Sequence, residues 1–348
     1  MIDGFFEHVV QMIGLAPAVI VFLAIGIAGL KYGADWLVNG ASNAGFRFGI
    51  SATMIGLTIV AFGTSAPELM VSVLTAVQER PEICLGNVVG SNIANVALIL
   101  GVTALVSPLK IQPTSIRSDG PLSFAAILLV FVMVLTGLKI SRVEGLVLLA
   151  VFTLWMVWLV RKQTSGSARK KQAEAEAGTV SEEVVFHRRP VWIDGLFICG
   201  GLLVLVAGAD MLVVSAVATA HALHVPDVVV GLTVVAVGTS LPELAVCLVS
   251  ALGKQGDITV GNVLGSNIFN ALLILGAATV IFPIAFNVSG FALSGDAGTV
   301  FLDIPFCVFL CALIVPLMAH RQSLGRWKGL FLLVLYVVYM VFLVFRNL

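Results

Sequence analysis

The chain has 348 residues, of which 59% are apolar and 11% charged, and 19 basic residues balance 19 acidic ones. Soluble domains carry about 25% charged residues, and mean hydropathy here is +1.09, so a disordered chain, a nucleic-acid binder resting on bulk basic charge and a soluble enzyme are all excluded. Five cysteines are too sparse for a disulfide framework and read as small apolar packing residues.

About 20 apolar residues cross a bilayer as a helix, and long continuous apolar runs rather than short alternating ones exclude a barrel. The chain therefore reads as an all-α polytopic membrane protein. Residues 1–12 carry Asp3 and Glu7 and no basic residue, unlike a cleaved signal peptide, so they are expected to stay in the mature chain. Ten spans follow, at about 17–39, 52–77, 84–106, 121–138, 143–160, 192–216, 227–252, 260–284, 300–319 and 328–346. The polar stretch 161–190 reads as a solvated linker with room for a short helix. It divides the chain into a first five-helix half, residues 1–160, and a second, residues 191–348. Most Lys and Arg fall in that linker and in the loops on its side of the membrane, against only Arg80, Lys139, Arg142 and Arg346 on the other. The linker is thus expected in the cytoplasm and both termini outside.

The strongest signal is an internal repeat. Residues 56–101 align without a gap to 231–276, at a constant offset of 175, with 26 of 46 positions identical. The first copy holds GLTIVAFGTSAPELMVS and GNVVGSNIANVALILG, the second GLTVVAVGTSLPELAVC and GNVLGSNIFNALLILG. Gly33-Ala34-Asp35 also pairs with Gly208-Ala209-Asp210. An odd number of spans per half puts the two copies in the membrane in opposite orientations, the inverted repeat of secondary transporters. Identity concentrated on polar residues inside apolar spans points the same way.

In span two, Thr58, Ala61, Thr64, Ser65, Glu68 and Ser72 share one helical face. Pro67 removes a backbone donor and clashes with the Gly63 carbonyl, predicting a kinked or unwound turn beside Glu68. Span seven repeats this with Ala236, Gly238, Thr239, Ser240, Pro242 and Glu243. In span three, Asn87, Ser91 and Asn95 recur every four residues, with Gly86 and Gly90 leaving room for a neighbouring helix. Span eight has Asn262, Ser266, Asn270, Gly261 and Gly265. A carboxylate deep in a bilayer is costly and usually marks an ion path. No Lys or Arg lies in these four spans. Two carboxylates with amide, hydroxyl and carbonyl oxygens suit a hard cation such as Ca²⁺ or Na⁺, and two negative charges balance one divalent or two monovalent ions. His and Cys ligands for softer metals are missing apart from Cys247.

The paired GTSxPEL and GNxxGSNIxN motifs resemble the two α-repeats of the cation/calcium exchanger superfamily, most nearly its prokaryotic sodium/calcium exchangers. The resemblance implies a secondary-active antiporter of ten transmembrane helices in two inverted repeats, in a prokaryotic inner membrane. It implies a central cluster of Glu68, Asn95, Glu243 and Asn270, with Ca²⁺ held by both glutamates and the carbonyls of Thr64 and Thr239. Flanking Na⁺ sites would use the Ala61 and Ala236 carbonyls with Ser65, Ser240, Ser91 and Ser266, and spans one and six would slide to alternate access. Potassium-dependent members carry an acid at the position of Asn270, so K⁺ co-transport is not expected. Partners are the lipid bilayer and the transported ions, with no cofactor and no nucleic acid.

Asp35 and Asp210, at the ends of spans one and six, either line an ion entry path or tie helix ends to neighbours. His221, His224 and Asp227 read as a solvated loop, and Cys307 and Cys311 as packing. Proton/calcium exchange, in which a buried Glu takes a proton, is the alternative to sodium/calcium exchange, and a Ca²⁺ channel stands behind both. An intramembrane hydrolase is disfavoured, since HExxH is absent and Ser65 and Ser240 have no evident base.

Overall fold

The computed structural model describes residues 2–78, 81–177, 190–223, 236–286 and 298–347. Nearly all of it is helix: α1 (Ile2–Ile13), α2 (Leu15–Arg47), α3 (Ala52–Thr64), α4 (Ala66–Val77), α5 (Ile83–Val106), α6 (Ser115–Gly137) and α7 (Arg142–Ala177) in the first half. The second half holds α8 (Val191–Ala222), α9 (Ala236–Thr239), α10 (Leu241–Leu252), α11 (Gly256–Ile281), α12 (Thr299–Gln322) and α13 (Arg326–Asn347). Among the described residues eight helices are long and apolar enough to cross a membrane, and α3 with α4 make a ninth, bent span. The tenth expected span, 227–252, is described only from Ala236 onward, as α9 and α10, and its first part lies outside the described residues.

The structure departs from the expectations or adds to them in three places. First, α7 does not stop at the membrane edge but runs on to Ala177, well into the expected linker. The stretch ARKKQAEAEA is made of strong helix formers, so the span simply propagates. Second, residues 2–13 are themselves a helix, whose Phe6 is buried edge-on against Phe22 of α2 and beside Met211, Val214 and Ala218 of α8. Third, Asp35 and Asp210 do not end their helices. With 33 and 32 residues, α2 and α8 reach about 50 Å at 1.5 Å per residue, more than a hydrocarbon core of about 30 Å, so both acids fall in helix interiors.

The two halves interlock. Strand β1 (Leu109–Lys110) follows α5 and pairs antiparallel with β4 (Ser323–Leu324), before α13. Strand β2 (Lys139–Ile140) pairs with β3 (Ile284–Ala285), which follows α11. Glycine crossings show the same exchange. A Cβ on Gly101 of α5 would stand 3.1 Å from the Gly329 carbonyl of α13, and one on Gly145 of α7 would stand 3.0 Å from the Gly276 carbonyl of α11. The repeat thus extends beyond the motif region, at an offset of 184 rather than 175: RVEGLVLL at 142–149 matches RWKGLFLL at 326–333, and Asp119-Gly120-Pro121 matches Asp303-Ile304-Pro305.

At that second offset Arg346 is the counterpart of Lys162. Arg346 is not a free loop charge. Its Nη1 and Nη2 both lie 3.0 Å from the two Asp303 oxygens, Tyr339 donates to Asp303 at 3.2 Å, and both charged side chains are nearly buried. Removing one partner strands the other charge, at a cost of about 3–5 kcal/mol. We expect Asp303→Asn to lower the melting temperature of the purified protein by several degrees, with Arg346→Leu/Asp303→Leu recovering part of the loss.

Candidate cation-binding site

The site forms where two helices break. Pro67 offers no N–H, so the Gly63 carbonyl loses its helical donor, and Ser65 sits at φ −85°, ψ 5° between α3 and α4, which meet at a bend of 46°. Ser240 takes the same conformation, φ −92°, ψ 4°, between α9 and α10. Each break starts a new helix whose first turn carries the acid, Glu68 in α4 and Glu243 in α10, at the positive end of the helix dipole. Both glutamates are buried and within electrostatic reach of each other.

The second pair of helices carries the amides. Asn95 and Asn270 each lie in a stretch wound wider than an α-helix, Ala94–Ile99 in α5 and Phe269–Ile274 in α11, a deviation common at functional sites. Asn95, Asn270, Ser91 and Ser266 are all buried.

Bonds across the two halves draw these elements together. Ser65 Oγ donates to Glu243 Oε1 at 3.3 Å, and Thr64 Oγ1 donates to Asn262 Oδ1 at 3.3 Å. Asn95 Nδ2 donates to Asn267 Oδ1, and Asn270 Nδ2 to Asn92 Oδ1, each at 3.0 Å. Within each half, Asn87 Nδ2 donates to Ser72 Oγ at 3.0 Å and Asn262 Nδ2 to Cys247 Sγ at 3.4 Å, tying α4 to α5 and α10 to α11. The Ala61 carbonyl accepts from Ser65 N at 3.0 Å, Ala236 opens α9, and Thr239 is half-buried.

What remains is a set of oxygens without donors. Among the described residues, Glu68 Oε2, Glu243 Oε2, Asn95 Oδ1, Asn270 Oδ1 and the Ser240 and Ser266 hydroxyls are buried with no hydrogen-bond partner. An unsatisfied buried acceptor costs about 1–3 kcal/mol, and more when it is charged. Such acceptors would suit a positively charged guest. The donors are oxygens from carboxylate, amide and hydroxyl groups, and among the described residues no group of three His, Cys, Asp or Glu side chains lies together to hold a metal ion by itself. That chemistry fits a hard cation.

Sequence reasoning missed Asn92 and Asn267, whose signal was present in the repeated GSN triplet. A Cβ added at Gly86 or Gly90 would have no described atom within 4 Å, whereas Gly261 and Gly265 press on the backbone of α3. His221 is exposed at the end of α8, and His224 and Asp227 lie outside the described residues. Cys307 and Cys311 pack in the core.

A helical membrane protein that buries two carboxylates in such a cluster falls in the class of ion transporters. The chain belongs to the sodium/calcium exchanger protein family, which it matches over residues 18–161 and 194–345. It is an integral membrane protein of the cation/Ca²⁺ antiporter kind and not an enzyme. The sodium/calcium exchanger MaX1 of Methanosarcina acetivorans is 31% identical over 348 residues, covering 90% of this chain and 95% of its own. The inner membrane protein YrbG of Escherichia coli is 32% identical over 314 residues, covering 90% of this chain and 92% of its own. The solved structure of the sodium-calcium exchanger NCX_Mj superposes with a TM-score of 0.75 at 28% identity, covering 93% of this chain and 98% of that one.

Proposed function

We propose that this protein exchanges Na⁺ for Ca²⁺ across a prokaryotic inner membrane, with Glu68, Glu243, Asn95 and Asn270 as the central ligands. The observation that carries the reading is the cluster of partnerless oxygens, one from each of these four side chains. Ca²⁺ would be held by the two carboxylates and the carbonyls of Thr64 and Thr239, and Na⁺ by the flanking Ala61 and Ala236 carbonyls with Ser65, Ser240, Ser91 and Ser266. Two negative charges balance one Ca²⁺ or two Na⁺, so the ions compete for one pocket.

Ten spans in two inverted halves, 1–160 and 191–348 around a cytoplasmic linker, with both termini outside, complete the reading. The strand pairs support it. With alternating spans, β1 and β4 fall on the linker side, β2 and β3 on the other, and each pair is antiparallel across the halves.

Alternating access would come from α2 and α8 sliding together over the remaining helices. Their mutual interface is the most extensive among the described residues and runs backbone to backbone: a Cβ on Gly33 would stand 2.5 Å from Leu205 N, and one on Gly201 2.6 Å from Leu37 N. Asp194 of α8 accepts from Asn43 Nδ2 at 2.7 Å and lies 3.5 Å from the Arg47 guanidinium, both on α2. Helices joined in this way move as one body.

The test is Ca²⁺ uptake by proteoliposomes under an imposed Na⁺, K⁺ or pH gradient. Uptake driven by Na⁺ alone is expected; uptake driven by pH alone would replace this reading with proton/calcium exchange, and a saturation-free Ca²⁺ current with channel function. Asn270→Asp, which adds a third charge to the cluster, is expected to change the order of cation preference or the pH dependence of uptake. An unchanged profile would remove Asn270 from the ligand set.

A further inference from the structure

We propose that Asn92 and Asn267 are positioning residues that hold the oxygens of Asn95 and Asn270 toward the cation by exchanging hydrogen bonds between the two halves; the inference rests on the ligand reading given above. An asparagine amide has an oxygen at one end and two N–H donors at the other, and it turns over readily. A site that needs the oxygen must therefore occupy the nitrogen elsewhere. Asn267 Oδ1 takes the Asn95 nitrogen at 3.0 Å, and Asn92 Oδ1 takes the Asn270 nitrogen at 3.0 Å. Both remaining oxygens, Asn95 Oδ1 and Asn270 Oδ1, are the ones left without a donor.

The positioning amides are themselves held. Asn92 Nδ2 donates to the Asn267 carbonyl at 3.4 Å, and Asn267 Nδ2 points at Cys311 Sγ at 3.9 Å, so each turns its oxygen toward its client. All four amides are buried, where a lost acceptor is costly. The repeat pairs Asn92 with Asn267 and Asn95 with Asn270, but the bonds cross: each half orients the ligand of the other. Without Asn267 the Asn95 nitrogen has no acceptor, the amide is free to turn, and N–H donors then compete with the oxygen for the place facing the cation.

A double-mutant cycle tests this, read in two ways: by the Ca²⁺-dependent rise in melting temperature of the purified protein, and by Na⁺-driven Ca²⁺ uptake in proteoliposomes. Asn267→Ala is expected to raise the half-saturating Ca²⁺ concentration about tenfold, as one buried hydrogen bond is worth. Asn95→Ala/Asn267→Ala should then be no worse than Asn95→Ala alone, while Asn267→Ala and Asn270→Ala should multiply. A role confined to packing predicts multiplication in both cycles, and that result, or the opposite pairing, would overturn the proposal. Should Asn267→Ala not fold, Asn92→Ala against Asn270→Ala and Asn95→Ala gives the mirror cycle. Wild-type protein that is stabilised by Ca²⁺ yet shows no Na⁺-driven uptake overturns the exchanger reading alone, because the cycle is still read from the titration. Wild-type protein without any Ca²⁺-dependent shift overturns both.

Discussion

Glu68→Gln and Glu243→Gln, each made alone, are expected to abolish Ca²⁺ uptake into Na⁺-loaded proteoliposomes while the proteins are recovered folded and in normal yield. Gln keeps the shape of Glu and one acceptor oxygen, so packing against the α4 and α10 surroundings is retained. What changes is charge. At an effective dielectric constant of about 20, a unit charge 4 Å away contributes about 4 kcal/mol, and a divalent ion feels twice that, so losing one carboxylate weakens Ca²⁺ binding by at least about a thousandfold. Folding should suffer little, because each glutamate already leaves an oxygen without a donor in the protein; replacing that burden by a neutral amide is close to neutral or stabilising. Loss of transport with retained melting temperature is thus the signature of a ligand. Wild-type flux in either variant would move the site elsewhere, and loss of folded protein would make the acid a structural residue.

The two glutamates were legible in the sequence because a bilayer penalises every intramembrane charge, so the few that persist stand out, and the offset of 175 showed the same acid behind the same Thr-Ser-x-Pro break twice. The break itself followed from Pro67, since a missing N–H is a local fact. Asn92 and Asn267 were not legible in this way. Their role depends on which amide lies opposite which across the two halves, and a repeat alignment pairs equivalent positions, not touching ones. The ion pair of Arg346 with Asp303 was hidden for a different reason. Nine extra residues displace the register after α11, the match at the old offset fades, and the Asp-x-Pro, RxxGLxLL and MVxLV fragments carry the repeat onward. Hydropathy located the eight or nine spans that the described residues show but not their ends, because α2, α7 and α8 continue as helix past the apolar stretch that announces them.

The glycines where α3 crosses α11 should prove as sensitive as the acids, through packing instead of charge. A Cβ on Gly56 would collide with the Ile258 carbonyl and stand 2.9 Å from Asn262 N and 3.0 Å from Gly261 Cα; one on Gly265 would stand 2.7 Å from the Leu57 carbonyl. The obstacles are backbone atoms, which no rotamer change can clear, so the helices themselves must separate. Asn262 and Ser266 sit beside Gly261 and Gly265, and Asn262 receives the Thr64 hydroxyl at the helix break, so a displacement here reaches the proposed ligands directly. Gly56→Val is therefore expected to cost about 3 kcal/mol, the upper end of overpacking, and to remove the Ca²⁺-dependent rise in melting temperature. Gly200→Val is the matched control: the same change in the interior of a helix, at a position with no described atom within 4 Å of the new Cβ. It should leave both measurements near wild type. If the two variants behave alike, the close crossing of α3 and α11 is not what holds the ligands in place, and the site would have to be organised by the hydrogen bonds between the halves alone.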